Sequence, residues 1–150
     1  MLTIIIGTRT QSPLQAALDM AAADGRRFDV VAPRESVASV RAQVIGRSLT
    51  AKVWSAEPEQ VKRGTIPLRI IARAHEVSRN VFLNSFRPDT HLMLACCLPS
   101  SGRAAWLDQL IKQEAEMEGL RVMRLGSSLS SHSLLMENFM LGYRAEREPA

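Results

Sequence analysis

Hydroxyl, glycine and arginine residues gather in two short segments that each follow an apolar run. The first segment is Gly7-Thr8-Arg9-Thr10 and the second is Ser100-Ser101-Gly102-Arg103. Hydroxyl groups, backbone N–H groups and a nearby arginine are the donors that bind anions, and the start of a helix adds a partial positive charge. These residue types therefore point to the binding of a phosphate group.

Each segment also has a plainer interpretation. Serine is common immediately before a helix, so Ser100 or Ser101 could cap the following helix and Gly102 could be a turn residue. The first segment could be a polar connection with Arg9 in solvent. The candidate ligand-binding residues are Gly7, Thr8, Arg9, Ser100, Ser101, Gly102 and Arg103.

The sequence lacks the familiar motifs of nucleotide, hydrolase and metal sites. It contains no Gly-x-Gly-x-x-Gly, no Walker lysine and no Gly-x-Ser-x-Gly, so a classical dinucleotide or ATP site and a serine hydrolase are not expected. The histidines are scattered, and the two cysteines, Cys96 and Cys97, are adjacent. We therefore expect no metal, no cofactor and no structural disulfide, and we assign no catalytic residue.

Length and composition favour a single domain that folds unaided. The chain has 150 residues, of which 46% are hydrophobic and 23% charged, which is enough for one substantial core. No apolar run approaches the roughly 20 residues of a membrane-spanning helix. The chain opens on the strand-like run 2–6 without a basic leader, so we expect a cytoplasmic protein without a membrane partner.

Short apolar runs alternate with helical patterns along residues 2–125. Short apolar runs predict five strands, at 2–6, 28–32, 51–55, 91–98 and 120–125. Periodicity and capping residues predict helices from Ser12-Pro13 to Gly25, over 37–46, over 67–86 and from Leu107 to Gly119, with a polar loop at 57–65. The alternation predicts an α/β fold, a Rossmann-like three-layer sandwich with a mostly parallel five-stranded sheet, plus a C-terminal helix.

The last part of the chain is distinct in composition. Residues 1–126 form the predicted α/β domain, and residues 127–150 form a serine-rich connection and a C-terminal helix or tail. That segment carries a set of large apolar residues, Leu134, Leu135, Met136, Phe139, Met140 and Tyr143. So many apolar groups should be covered, either by the protein's own sheet or by a second copy in a homodimer.

Ligands of open α/β sheets bind beyond the carboxyl ends of the strands, where the strand order reverses. If the five predicted strands have the order 3-2-1-4-5, the loops 7–12 and 99–103 flank one cleft. Arg9 and Arg103 would then donate charge-assisted hydrogen bonds to a ligand phosphate. If the third strand lies beside the first, the cleft moves to residues 55–65.

Several short segments together resemble the SLOG superfamily. They are the opening Ile4-Ile5-Ile6-Gly7-Thr8-Arg9, then Lys52-Val53-Trp54, Arg79-Asn80, and Pro88-Asp89 leading into His91-Leu92-Met93-Leu94-Ala95. The superfamily includes DprA proteins, lonely-guy nucleotide phosphoribohydrolases and small phage and bacterial relatives. The resemblance implies a Rossmann-like fold over about residues 2–126 and a nucleotide-derived or nucleic-acid ligand. The family's Gly-Gly-x-Gly-Thr motif corresponds to Ser100-Ser101-Gly102-Arg103-Ala104, and no catalytic glutamate maps across, so no reaction is implied.

Three functional hypotheses follow. The first is binding of a nucleotide or another phosphate-containing small molecule, with a phage or mobile-element origin as one option. The second is a nucleic-acid-binding accessory protein that uses the arginines of the second and third predicted helices, since the net charge is +4. The third is an oligomeric assembly protein without a small ligand. Only 5% of the residues are aromatic, which leaves little for stacking bases.

Overall fold

A computed structural model describes residues 1–8, 10–61 and 65–126. Within these ranges the chain forms six strands and four α-helices. The strands are β1 (Leu2–Ile6), β2 (Phe28–Ala32), β3 (Val53–Ser55), β4 (Leu68–Ile71), β5 (His91–Cys96) and β6 (Leu120–Arg124). The helices are α1 (Pro13–Asp24), α2 (Val37–Gly46), α3 (Arg79–Ser85) and α4 (Ala105–Lys112).

All six strands are parallel and have the order β3-β2-β4-β5-β1-β6. Residues of α1 and α2 pack on one face of the sheet, and residues of α3 and α4 pack on the other. Helices on both faces of a parallel sheet form a three-layer sandwich, as right-handed crossovers require. The predicted Rossmann-like α/β class is confirmed.

The core consists of two apolar layers separated by the sheet. Successive strand residues point to opposite faces, so Ile5 belongs to the layer under α1 and α2, whereas Ile4 belongs to the layer under α3 and α4. In the second layer the rings of Phe82 and Trp106 stack with centroids 4.5 Å apart. Every residue of β5 is buried, which explains why its sequence is a continuous apolar run.

The first helix shows how local residues define an element. The Oγ atom of Ser12 accepts the N–H of Gln15 at 3.3 Å, and Pro13 takes the first helical position. Gly25 ends the helix at φ +78° and donates its N–H to the carbonyl of Ala21, a left-handed conformation that glycine adopts at little cost. The helix predicted from Ser12-Pro13 to Gly25 is confirmed.

The long helix predicted over 67–86 is wrong, and the sheet therefore has a sixth strand. This stretch forms β4, a 3₁₀ turn at Ala74–Glu76 and the short helix α3. Arg73 separates β4 from the turn at φ +50°. The β-branched residues of β4 are buried on both faces between two neighbouring strands, and this burial outweighs the helical spacing of the apolar residues.

The first charged residue of the mispredicted helix, Arg69, lies in the core. Arg69 on β4 pairs in register with Asp29 on β2. The Arg69 guanidinium donates to both carboxylate oxygens of Asp29, Nε to Oδ1 at 2.7 Å and Nη2 to Oδ2 at 2.8 Å. Trp54 Nε1 donates to Asp29 Oδ2 at 3.0 Å. The charges of this buried pair compensate each other, as burial requires.

Other boundaries shift by smaller amounts. The strands predicted at 91–98 and 120–125 end at Cys96 and Arg124, and the helix predicted to reach Gly119 ends at Lys112. The strand order 3-2-1-4-5 is wrong, because β4 and β5 lie between β1 and β2. The predicted C-terminal helix lies outside the described residues. In the described part of the chain, no helix is long and apolar enough to cross a membrane.

Candidate functional site

A cavity of about 430 Å³ opens at the carboxyl edge of the sheet, between the first turns of α1 and α2. The ends of β4 and β5 contribute Arg73, His75, Ala95 and Cys97. The surrounding loops and helix starts supply hydroxyl and amide side chains: Thr8, Thr10, Ser12, Ser36, Ser39 and Gln43. The cavity is thus lined by hydrogen-bonding groups from four different connections.

The chain connections explain why the cavity lies here. β1 and β2 lead into helices on one face of the sheet, while β4 and β5 lie between them and lead toward the other face. The carboxyl ends of β4 and β5 are therefore left uncovered on the side of α1 and α2. The connections that follow β1 and β5 run to opposite faces of the sheet, and so do the connections that follow β2 and β4. Open α/β sheets bind ligands at such points.

The loop after β1 folds tightly at the rim of the cavity. Thr8 Oγ1 accepts the N–H of Gln11 at 3.1 Å, and the Thr8 N–H donates to the Gln11 carbonyl at 3.1 Å. A Cβ at Gly7 would lie 2.3 Å from Cδ of Pro13 and 2.8 Å from the carbonyl oxygen of Gln11. Glycine at this position therefore allows the loop to approach the start of α1.

The electrostatic character of the cavity favours an anion. The first turns of two helices face it, and the aligned peptide dipoles give each helix start a partial positive charge. None of the described residues that line the cavity is acidic, whereas Arg73 is cationic. An anionic ligand would meet donors from several sides and no repelling carboxylate within the lining.

Arg73 is held at the rim by an ion pair. Its Nε and Nη2 donate to the two carboxylate oxygens of Glu76 at 2.9 and 2.6 Å, and both side chains are partly exposed. The hydrogen bond to Glu76 raises the pKa of Arg73 and lowers the pKa of Glu76. A guanidinium has five N–H donors. Glu76 accepts two of them, and the other three can donate to a ligand.

His75 lies deeper and is fixed by two bonds to the end of β5 and the loop after it. Its Nδ1 accepts the backbone N–H of Cys97 at 2.9 Å, and its carbonyl accepts the N–H of Ser101 at 2.9 Å. Partial burial lowers the pKa of the ring, and the charge of Arg73 lowers it further, while Glu76 opposes them. The ring is therefore neutral near pH 7.

The structure separates the two segments that the sequence singled out. Thr8 lines the cavity, Gly7 precedes it in the same loop without lining the cavity, and Arg9 lies outside the described residues. Ser100, Ser101, Gly102 and Arg103 follow β5 toward α4 and are not among the residues that line the cavity. There, Ser100 Oγ donates to Asp108 Oδ1 at 3.3 Å, and Ser101 makes no side-chain capping bond to the 3₁₀ turn that it precedes. A role for this second segment in ligand binding stays a prediction.

Arg73 and His75 were missed because the segment that contains them was predicted to be helical. The signal was present in the run Leu68-Arg69-Ile70-Ile71-Ala72 after Pro67. A run of this length and composition is also typical of a buried strand. A strand here would have placed the next polar residues at the carboxyl edge of the sheet.

Comparison of the chain with protein-family models and with curated proteins found no match. In the part of the chain that the structure describes, no group of three or more His, Cys, Asp or Glu side chains could share a metal ion. The candidate site is therefore defined by the fold and by the geometry of the cavity.

Proposed function

We propose that the protein binds a nucleotide, or another small molecule that carries a phosphate, in the cavity between α1 and α2. The position of the cavity is the observation that supports this proposal. The cavity is lined by hydrogen-bonding side chains, and it lies where the connections after neighbouring strands run to opposite faces of the sheet. Its volume of about 430 Å³ is within the range of about 300 to 1,000 Å³ of small-molecule sites.

The lining matches a phosphate in its chemistry. Phosphate oxygens accept several hydrogen bonds, and the cavity presents the hydroxyls of Thr8 and Ser12 and the guanidinium of Arg73 beside two helix starts whose dipoles favour an anion. The half-exposed pairing of Arg73 with Glu76 keeps the guanidinium oriented before the ligand arrives. The same ligand class is implied by the SLOG resemblance, which remains part of the proposal.

One arginine of the nucleic-acid hypothesis does not lie at the surface. It relied on arginines in the second and third predicted helices, but Arg69 is buried in its pair with Asp29. Arg41 and Arg79 are exposed and lie on α2 and α3, which pack on opposite faces of the sheet. A single nucleic-acid surface would need basic groups on one side of the molecule.

The decisive experiment is calorimetric titration of adenosine monophosphate and inorganic phosphate into the wild type and arginine variants. Arg73→Ala should weaken binding about tenfold or more, since a charge-assisted hydrogen bond contributes about 1.5 to 3 kcal/mol. Its melting temperature should change little because the ion pair is partly exposed. Arg79→Ala, an exposed arginine at the start of α3, is the matched control and should bind as the wild type does.

Two other outcomes would redirect the proposal. Weakened binding in Arg103→Ala with normal binding in Arg73→Ala would move the ligand to the loop after β5. Failure of the wild type to bind either probe, together with oligonucleotide binding that falls steeply with salt, would replace the proposal with the nucleic-acid hypothesis.

A further inference from the structure

The hydrogen bond at His75 defines which ring nitrogen carries the proton. The backbone N–H of Cys97 points at Nδ1 over 2.9 Å, and a backbone N–H can only donate. Nδ1 must therefore be unprotonated to accept it. A neutral imidazole with a free lone pair on Nδ1 carries its hydrogen on Nε2.

The surroundings favour this single protonation state. A second proton on Nδ1 would face the Cys97 N–H and break the bond that positions the ring. Partial burial and the nearby Arg73 both lower the pKa of His75, although Glu76 opposes them. The ring is consequently a neutral donor, with Nε2–H as its donating group.

The ring is held rigidly at the cavity. The bond to Cys97 attaches it to the end of β5, and the bond from the Ser101 N–H to the His75 carbonyl attaches its backbone. Within residues 1–8, 10–61 and 65–126, the bond to Cys97 is the one side-chain hydrogen bond that the structure records for His75. His75 is also one of the residues that line the cavity, and no protein acceptor for its Nε2–H is recorded in the described part of the chain.

We infer that His75 is a specificity-determining residue whose Nε2–H donates to an oxygen acceptor of the bound ligand. This inference rests on the proposed function and adds an acceptor requirement to it. A neutral donor does not neutralise the charge of an anionic ligand, so the role of His75 differs from that of Arg73. His75 selects ligands that have a hydrogen-bond acceptor at one particular place. A ligand with an N–H group at that place would be rejected, because two N–H groups would face each other.

Two variants separate this role from a purely structural one. Asparagine at position 75 can place its carbonyl oxygen near the Nδ1 position and accept the Cys97 N–H, but it has no donor at the Nε2 position. Glutamine can place its amide N–H₂ near the Nε2 position, but it lacks a matched acceptor for Cys97. The two substitutions thus divide the two functions of the ring between them.

Adenosine monophosphate and inorganic phosphate are titrated into wild type, His75→Asn and His75→Gln, and the melting temperature of each protein is measured. We expect His75→Asn to melt near the wild type but to bind the better of the two probes about tenfold more weakly. We expect His75→Gln to melt lower and to bind more tightly than His75→Asn. If His75 had only a structural role, affinity would follow the melting temperature, and His75→Gln would bind more weakly than His75→Asn.

Nitrogen NMR of histidine-labelled protein provides a readout that needs no ligand. At about pH 7 the shifts of His75 should show an unprotonated Nδ1 and a protonated Nε2. The opposite tautomer or an imidazolium would overturn the inference. Wild-type affinity in His75→Asn would overturn it and leave the proposed function intact, whereas a wild type that binds neither probe would overturn both.

Discussion

His91 is expected to make the stability of the fold depend on pH. The residue is 4% exposed at the start of β5, and its Nε2 lies 2.9 Å from Thr3 Oγ1 on β1. Burial, assisted by the positive charges of the N-terminus, Arg26 and Arg121, lowers its pKa from 6.5 to about 4, while Asp24 opposes the shift. The folded protein therefore keeps His91 neutral where the unfolded chain already binds a proton.

The sign and size of the effect follow from proton linkage. Well above pH 6.5 His91 is neutral in both the folded and the unfolded state. Between pH 6.5 and about 4 the unfolded chain binds more protons, so the free energy of unfolding falls as the pH falls. At about 1.36 kcal/mol per pKa unit, the full loss is roughly 3 kcal/mol, of which about 2 kcal/mol is reached by about pH 5.

Urea unfolding at about pH 7.5 and about pH 5 measures this loss. His91→Gln is the control, because glutamine does not titrate and its amide can approach Thr3 as Nε2 does. Carboxylates that titrate in both proteins cancel in the comparison. The wild type should lose about 2 kcal/mol more than His91→Gln over this interval, and equal losses would refute the reasoning.

Replacing Asp29 with asparagine should cost about 3 to 5 kcal/mol in urea unfolding, because its buried arginine partner loses a neutralising carboxylate; a cost below about 1 kcal/mol would contradict this. Gly7→Ala should lower the melting temperature, since the added Cβ meets the first helical proline at 2.3 Å, whereas Gly46→Ala, with nothing within 4 Å, should not. Equal melting temperatures would show that the loop after β1 adapts freely. Iodoacetamide should label native protein at Cys97, because burial raises the pKa of Cys96 to about 12; persistent labelling in Cys97→Ser would show that Cys96 is accessible.

The elements that were predicted well are those whose signals lie close together in the chain. The first helix begins at a serine and a proline and ends at Gly25, so its bounds depend on residues within one turn of each end. The strand at 2–6 is an isoleucine-rich run that ends before Gly7. The alternation of such units was sufficient to predict the three-layer α/β class.

The stretch 67–86 shows where local signals fail. Its apolar residues match a helical stripe, but a short apolar run is equally compatible with a buried strand. The stretch forms a strand because of partners that lie far away in the chain. Arg69 pairs with Asp29, which is 40 residues earlier, and β4 lies between β2 and β5. No periodicity within the stretch contains that information.

The sequence by itself determined which residues begin and end the first helix, the approximate positions of five of the six strands, and that Gly7 and Thr8 lie at the carboxyl edge of the sheet. The tertiary structure alone decided the strand order, and with it the set of residues that share the cavity. Thr8, Arg73 and His75 lie at one site only because β4 and β5 separate β1 from β2. Strand order is set by the burial of apolar faces between distant segments, a non-local free energy that local pattern does not encode.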